Sequence, residues 1–289
     1  MSYYETLKSP SSFRKLAAAM WRKPNDPHIF GSVDVEMTAA LAFLDDYNRR
    51  HGCKVTVTHL VVRAIALMLA KHRELNAKIG FASIKVRNRV DIFCQVSSDG
   101  GRDLSGLKLE GTDQLSLAQI AERLARGAAD IREDRDPTFR RTRGFFRSAP
   151  LWLIRMVLGL MSLLANTLNI HLPKLGLPRD PFGSAMVTSV GMLGIDTGYA
   201  PFTPVARCPV IITVTRVRPR PWVVGDRVEP RPVLRLCATF DHRVIDGYHA
   251  GELSGEVEAL LGEPQKLLTA AEAAPGPKHA HGASEARLS

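Results

Sequence analysis

The segment from Thr58 to Ala70 is apolar on almost every side, and it restricts the possible folds more than any other part of the chain. A surface helix keeps one polar face, whereas a helix that is apolar all round has to be buried. The segment therefore predicts a central helix that other elements cover. With 289 residues and 45% hydrophobic residues, the chain is large enough to bury such a helix in a substantial core.

Helical and extended patterns mix along the rest of the chain without a regular βαβ alternation. Runs typical of strands occupy residues 28–37, 81–86, 90–96, 184–190, 210–217 and 233–240. Runs typical of helices occupy residues 11–21, 38–51 and 117–131, with Thr38 and Ser116 as expected caps. The second and third strand-like runs are short and close together, which predicts a β-hairpin. We therefore predict an α/β fold of the two-layer α+β type, in which helices pack mainly on one face of a mixed sheet.

The formal net charge of +10 allows three kinds of partner: a nucleic acid, an anionic membrane or a phosphorylated substrate. The charge is unevenly distributed. Residues 137–180 hold seven Lys and Arg against Asp180 alone, which is 7 − 1 = +6 of the total. No recognition helix, zinc finger or RNA-binding sheet motif accompanies these charges. We therefore expect no nucleic-acid partner.

The cysteine and histidine spacing predicts neither disulfides nor a metal site. The four cysteines are far apart, form no CxxC pair and have no histidine at metal-ligand spacing, so we expect reduced thiols. His279 and His281 supply only two ligands, and they lie in a stretch, 269–289, that we expect to be a disordered tail. The N-terminus lacks the charged-then-apolar layout of a signal peptide, which predicts a cytoplasmic protein.

The sequence FDHRVIDG, residues 240–247, lies between a strand-like run and a helix-like run. Its histidine, His242, is therefore expected where a strand ends. An imidazole titrates near neutral pH and can take a proton from a thiol or a hydroxyl, while Asp246 can fix the loop through an ion pair. The alternative is that a histidine and an aspartate four residues apart occur together by chance.

Four segments, in the same order, resemble the catalytic domain of the dihydrolipoyl acyltransferases of the 2-oxo acid dehydrogenase complexes. They are SSFRKLAAAMW, VTHLVVRAIALMLAKHRELNAKI, FGSAMVTSVGMLGIDTGYAPFTPVARCPVIITVTRV and FDHRVIDGYHAGEL, the last with the DHRxxDG signature. Chloramphenicol acetyltransferase shares this fold and a related HxxxDG motif. The resemblance covers about Ser11 to Leu261, except for residues 137–181. It implies an acyltransferase that uses coenzyme A as a substrate and forms a homotrimer, or a higher assembly of trimers, with its active site between subunits.

The resemblance also implies roles for individual residues. His242 is the general base that deprotonates the acceptor thiol, which then attacks the acyl thioester without an acyl-enzyme intermediate. Thr188 is the hydroxyl that stabilises the oxyanion; Ser189 is its rival, but only one of two successive strand residues can point inward. Asp246 is expected to pair with Arg14 of the first helix. The plainer alternatives are that Arg14 is a solvated helix charge and Thr188 a residue that merely favours strands.

The sequence departs from the family at two places. Only about ten residues precede Ser11, so we expect no lipoyl group on this chain and a single catalytic domain at residues 1–268. Residues 137–181 form a basic and apolar insertion, in which 151–172 is a helix-like run with one narrow polar stripe. That helix is open to three interpretations: burial against the domain or a neighbouring subunit, peripheral contact with an anionic membrane, or a membrane span.

These departures leave three functions open. The first is acyl transfer between coenzyme A and a dihydrolipoyl-like thiol or another small acceptor. The second is acylation of a lipid acceptor at a membrane surface. The third is a non-catalytic oligomeric scaffold.

Overall fold

The structure is a computed structural model, and it describes residues 27–79, 83–98, 103–133, 150–164, 180–202 and 206–273. Its strands are β1 (His28–Glu36), β2 (Ala77–Ile79), β3 (Ile84–Val86), β4 (Ile92–Ser98), β5 (Asp103–Leu109), β6 (Ala185–Ser189), β7 (Val210–Val214), β8 (Arg218–Val224) and β9 (Arg227–Asp241). Its α-helices are α1 (Thr38–His51), α2 (Val57–Lys71), α3 (Leu117–Arg132), α4 (Leu151–Ser162), α5 (Gly247–Gly262) and α6 (Ala270–Ala273). The predicted first helix at 11–21 lies outside the described residues.

The main sheet has seven strands in the order β1-β9-β7-β6-β4-β5, with β8 paired to β9. Strands β4, β6 and β7 run parallel to one another, and the other pairs are antiparallel. A separate two-stranded sheet pairs β2 with β3. The sheet is therefore mixed, as the sequence predicted.

The predicted hairpin of residues 81–86 and 90–96 is wrong. Strand β3 pairs with β2, and β4 pairs with β5, a strand that the sequence pattern missed. The reason is visible in β5 itself, where Gly106 interrupts the apolar alternation. A Cβ at Gly106 would lie 2.4 Å from the Phe93 ring, so the glycine makes room for the facing strand.

Strand β8 and the first third of β9 were also missed, because both carry prolines at every second position. Pro219 pairs with Pro232, and Pro221 with Pro230, in a two-stranded arm. Proline has no N–H to donate to the ladder, so facing prolines fit only at positions where the N–H would point away from the partner strand. The turn at the end of the arm has Gly225 at φ 59°.

Four helices, α1, α2, α3 and α5, pack with one face of the sheet into the main hydrophobic core. The prediction of a buried central helix is confirmed: Leu60, Val61, Val62 and Ala64 of α2 have no exposed surface. The predicted Ser116 cap of α3 is also confirmed. The predicted Thr38 cap of α1 is wrong; Thr38 is the first helical residue, and its backbone N–H donates to the Glu36 carboxylate at 2.9 Å.

The C-terminal end of the described chain packs back onto these helices. Glu272 accepts hydrogen bonds from the Tyr47 hydroxyl at 2.5 Å and from the backbone N–H groups of Thr269 and Leu117 at 2.8 and 3.2 Å. Arg63 of α2 is 3% exposed and donates to the backbone carbonyl of Leu267 at 3.0 Å. The first residues of the stretch predicted to be a tail, from 269 to 273, are therefore held against the domain.

Helix α4 differs from the other long helices in what surrounds it. Among its described side chains none belongs to either hydrophobic cluster. Met156 and Leu160 of α4 are 58% and 54% exposed, and Leu163, which directly follows the helix, is 48% exposed. These three residues are spaced by four and three positions, so they share one helix face. The predicted helix of 151–172 is thus seen as α4, and its residues after 164 lie outside the described part. No helix among the described residues is both long and apolar enough to cross a bilayer.

Candidate active site

The backbone holds His242 at the edge of the sheet where β9 ends. Its N–H donates to the carbonyl of Pro27 at 2.8 Å, just before β1, and the N–H of Asp241 donates to Pro209 at 2.9 Å, just before β7. The last residues of β9 are therefore tied to both neighbouring strands. This arrangement agrees with the expectation that His242 lies at a strand end.

The loop after β9 is clamped by the side chain of Asp241. This carboxylate is buried, at 8% exposure, and accepts from the guanidinium of Arg243 at 2.9 and 2.6 Å and from its backbone N–H at 3.1 Å. Charge-assisted, two-pronged contacts of this kind are among the stronger hydrogen bonds in proteins. Ile245, which has no exposed surface, anchors the other end of the loop. The loop backbone around His242 is therefore fixed from both sides.

The imidazole of His242 is exposed, and its Nδ1 lies 3.2 Å from the carbonyl oxygen of Ile245. A carbonyl oxygen can only accept, so this contact places the proton of the neutral ring on Nδ1. Nε2 then keeps its lone pair and can take a proton from a substrate thiol. The contact thus selects the tautomer that a general base needs.

Asp246 forms the N-cap of α5. Its carboxylate accepts from the backbone N–H of His249 at 3.0 Å, and the His249 ring lies 2.9 Å away. The hydrogen bond from the His249 backbone, with a smaller contribution from the ring, lowers the pKa of Asp246 below its ordinary value. Asp246 thus fixes the start of the helix that follows the His242 loop. Its predicted partner, Arg14, lies outside the described residues.

Thr188 and Ser189 point to opposite faces of β6. Val187 belongs to the main core with the helices, and Met186 belongs to the small cluster on the other face, so alternation puts Thr188 on the face away from the helices. Ser189 lies on the helix side, where the Thr58 hydroxyl donates to it at 3.4 Å. Thr188 is 8% exposed, and its hydroxyl makes no hydrogen bond to any described residue. Of the two hydroxyls, only that of Thr188 has no hydrogen-bond partner among the described residues.

One chain does not bring His242 and Thr188 together. Thr188 is in register with Thr213 of β7, which is in register with Cys237 of β9, five residues before His242. At about 3.3 Å per residue along a strand and about 4.8 Å between strands, the base and the hydroxyl are roughly 19 Å apart. Both cannot touch the same thioester carbonyl within one chain.

Cys94 and Cys208 are deeply buried thiols. All four cysteines are free, and burial raises the pKa of the Cys94 and Cys208 thiols to about 12. Such thiols stay protonated at neutral pH and are poor nucleophiles. In the part of the chain that the structure describes, no group of three or more His, Cys, Asp or Glu side chains could hold a metal ion.

The family model of the 2-oxoacid dehydrogenases acyltransferase catalytic domain matches residues 4–137 and 182–269. The chain belongs to this family. The gap in the match, residues 138–181, coincides with the stretch in which the sequence departs from the family. The earlier resemblance is therefore confirmed.

Curated relatives agree with this assignment. The acetyltransferase component of the pyruvate dehydrogenase complex of Acholeplasma laidlawii is 33% identical over 75% of this chain and 32% of its own length. That of Zymomonas mobilis is 25% identical over 85% of this chain and 47% of its own length. The chain therefore spans about a third to a half of the length of these relatives.

Solved structures show the same fold. A probable dihydrolipoamide acetyltransferase from Listeria monocytogenes has a TM-score of 0.61 at 19% identity, covering 90% of this chain and 95% of that chain. The cubic core of a pyruvate dehydrogenase multienzyme complex has a TM-score of 0.62 at 20% identity, covering 92% of this chain and 95% of that chain. The predicted fold class is confirmed.

Sequence reasoning missed three features of the candidate site. Asp241 was visible in the motif, and its distance of two residues from Arg243 could have suggested the clamp. The carbonyl of Ile245 carries no sequence signal, since any residue supplies one. The position of Thr213 beside Thr188 depends on strand register, which the sequence did not reveal.

Proposed function

We propose that this domain transfers an acyl group between coenzyme A and a thiol acceptor by direct attack, as a cytoplasmic enzyme. Nε2 of His242 takes the proton of the attacking thiol, and the sulfur forms a bond to the thioester carbonyl carbon. The carbonyl becomes an oxyanion, to which the Thr188 hydroxyl donates. When the intermediate collapses, the original C–S bond breaks, and the departing thiolate takes the proton from His242.

The observation that carries the proposal is the tautomer set by Ile245. The Nδ1 contact leaves Nε2 as the acceptor of an exposed ring, in a chain that belongs to an acyltransferase family. Thr188 supports it, because a hydroxyl with an unused donor can stabilise an oxyanion. Loss of a single oxyanion donor typically lowers kcat by about 10²- to 10³-fold.

The acceptor that fits best is a dihydrolipoyl-like thiol. The curated relatives are named dihydrolipoyllysine-residue acetyltransferase and succinyltransferase components. A thiol acceptor also suits a base whose Nε2 lone pair is free to take a proton. Coenzyme A would enter as a substrate.

The test is a panel of acyl-CoA donors with dihydrolipoamide, an amine, an alcohol and a lipid alcohol in vesicles, followed by release of free coenzyme A. We expect transfer to dihydrolipoamide, and nearly complete loss of turnover in His242→Ala without loss of fold by circular dichroism. Ordinary turnover in folded His242→Ala would refute the proposal. Transfer only to the lipid alcohol would support the membrane alternative, and transfer to no acceptor would support the scaffold.

We further propose that the working site forms between copies of the chain in a homotrimer. The estimated 19 Å between His242 and Thr188 supports this, because a second copy can supply the hydroxyl that the first lacks. One solved structure with this fold is described as a cubic core of a multienzyme complex. In a closed ring, each His242 would meet the Thr188 of one neighbour.

Complementation between two inactive variants tests the shared site. His242→Ala and Thr188→Val are each expected to be nearly inactive alone. When the two are co-expressed in equal amounts, about a quarter of the sites should combine an intact His242 with an intact Thr188 from the neighbour, so about a quarter of the activity should return. No recovery from mixed assemblies, verified by differently tagged chains, would show that the shared site is wrong.

A second proposal concerns α4, which we propose contacts an anionic membrane surface from one side. The exposed face of Met156, Leu160 and Leu163 supports it, as do the arginines that precede the helix in the sequence. The test is flotation with anionic and neutral vesicles. We expect the unaltered protein to float with anionic vesicles and the double change Leu160→Gln, Leu163→Gln to abolish flotation.

A matched control uses exposed valines far from α4 in sequence. Val223 and Val228 of the proline-rich arm are 69% and 70% exposed, so Val223→Gln with Val228→Gln removes a similar apolar surface. This control is expected to float like the unaltered protein. If the α4 variant floats as well as the unaltered protein, the membrane proposal is wrong, and the exposed face of α4 would instead be a surface that contacts protein.

A further inference from the structure

The face of the sheet away from the helices carries threonines whose hydroxyls have different surroundings. Thr215, directly after β7, donates to the carbonyl of Arg235 at 2.7 Å, and Thr239 of β9 donates to the carbonyl of Ala200 at 2.9 Å. Thr213 lies between them in the sheet, is 3% exposed, and its hydroxyl has no hydrogen-bond partner among the described residues. Buried hydroxyls are rarely left unpaired, because they lose their bonds to water without replacement. The unpaired state of Thr213 therefore calls for an explanation.

The explanation lies in the strand beside it. Thr213 and Thr188 are direct register partners in the parallel pair of β6 and β7, and both lie on the face away from the helices. The backbones of such partners are about 4.8 Å apart, a separation that rotation of two hydroxyl-bearing side chains can bridge. Thr188 also makes no hydrogen bond within the described part of the chain. Thr188 and Thr213 are thus neighbours on adjacent strands, and neither hydroxyl has a hydrogen-bond partner among the described residues.

We propose that Thr213 is a positioning residue for the oxyanion donor, through a hydrogen bond from its hydroxyl to the oxygen of Thr188. A hydroxyl has one hydrogen to donate and two lone pairs that accept. Thr188 would give its hydrogen to the oxyanion, so its oxygen is free to accept from Thr213. That bond fixes the rotation of the Thr188 hydroxyl and strengthens it as a donor. Thr213 itself touches neither substrate nor oxyanion, and no bond is made or broken in it.

This inference rests on the proposed function, and kinetics of isosteric variants test it. Thr213→Val keeps the shape of the side chain and removes the hydroxyl. We expect kcat to fall about 3- to 10-fold, as for loss of one neutral hydrogen bond, with KM for acyl-CoA unchanged. We expect Thr213→Ser to restore kcat. The melting temperature of Thr213→Val should not fall, because the lost hydroxyl had no partner in the resting protein.

Thr215→Val is the matched control, since it removes a hydroxyl two residues away on the same face that already has a carbonyl partner. It is expected to lower the melting temperature and to leave kcat near that of the unaltered protein. A purely structural role for Thr213 would instead produce this same pattern in Thr213→Val.

A double-mutant cycle decides whether Thr213 acts through Thr188. In the Thr188→Val background, adding Thr213→Val should leave the residual kcat unchanged, because the hydroxyl it positions is gone. An unchanged kcat in Thr213→Val alone, or an equal fall in both backgrounds, would overturn the inference while leaving the proposed function standing. Failure of the unaltered protein to transfer any acyl group would remove both.

Discussion

The cap of the central helix predicts a specific acid sensitivity of the fold. His59 is the third residue of α2, and its Nδ1 accepts from the backbone N–H of Thr56 at 3.0 Å in a capping box. Burial lowers the pKa of His59 to about 4, and a protonated ring could no longer accept this hydrogen bond. The folded protein therefore favours the neutral form of the His59 ring.

The direction and magnitude of this acid sensitivity follow from the difference between the pKa of His59 in the folded and in the unfolded state. With a pKa of about 4 when folded and about 6.5 when unfolded, the unfolded chain takes up the proton first as the pH falls. The contribution of His59 to stability is complete above about pH 6.5 and is lost progressively down to about pH 4. About 2.5 pKa units at about 1.36 kcal/mol each make this loss about 3 kcal/mol, as an upper figure for a ring that keeps some exposure.

His59→Gln separates this titration from all the others. A glutamine at the third helical position supplies the acceptor of an ordinary capping box but does not titrate. Urea unfolding at constant protein concentration, at several pH values between 7 and 4, gives the free energy of unfolding of both proteins. We expect similar stability at pH 7 and, at pH 4, a loss about 3 kcal/mol larger in the unaltered protein. Parallel curves for the two proteins would refute the reasoning.

Three further predictions concern the site and its support. Thr188→Val should lower kcat about 10²-fold or more, and Ser189→Ala should leave kcat near the unaltered value, because only the former removes a hydroxyl on the proposed catalytic face. If steady-state kinetics show the reverse order, Ser189 and not Thr188 is the oxyanion donor. Asp241→Asn should weaken the clamp to Arg243 and lower kcat more than it raises KM, since the change disturbs His242's loop and not a binding surface; equal kinetics would show the clamp to be dispensable. Gly183→Ala should lower the melting temperature by several degrees, because φ is 63° and the added Cβ would lie 2.5 Å from a backbone carbonyl; calorimetry that finds no fall would contradict the strain.

Local patterns in the sequence predicted the parts of the fold that depend on local physics. The apolar run after Thr58 had to be buried, and Ser116 had to cap a helix, because these outcomes depend on a few neighbouring residues. Local patterns did not reveal which strands pair with one another. Strand β5 and the arm of β8 contain glycine or prolines that weaken any strand pattern, and only the facing strand makes them extended.

In the candidate site, too, some features depend on neighbouring residues in the sequence and others depend on strand pairing. His242 and Asp246 lie in one short motif, and the end of a strand is a local property. The placement of Thr188 beside Thr213 is not local, because it follows from two parallel strands that are separated by more than twenty residues in the sequence. The tautomer of His242 depends on a backbone carbonyl, which every residue carries and no pattern marks.

Strand direction, more than any loop, determines that the base and the hydroxyl are apart. Strands β6 and β7 are parallel, and β9 is antiparallel to both, so the end of β9 lies at the edge where β6 and β7 begin. Thr188 is near the end of β6, and His242 directly follows the end of β9, so they lie near opposite edges of one sheet. Rearranging the connections would leave this separation of roughly 19 Å in place, because both residues are tied to paired strands. A chain with this topology that uses both groups on one carbonyl therefore needs a second copy, which makes the complementation of His242→Ala by Thr188→Val a test of the fold's geometry as well as of the chemistry.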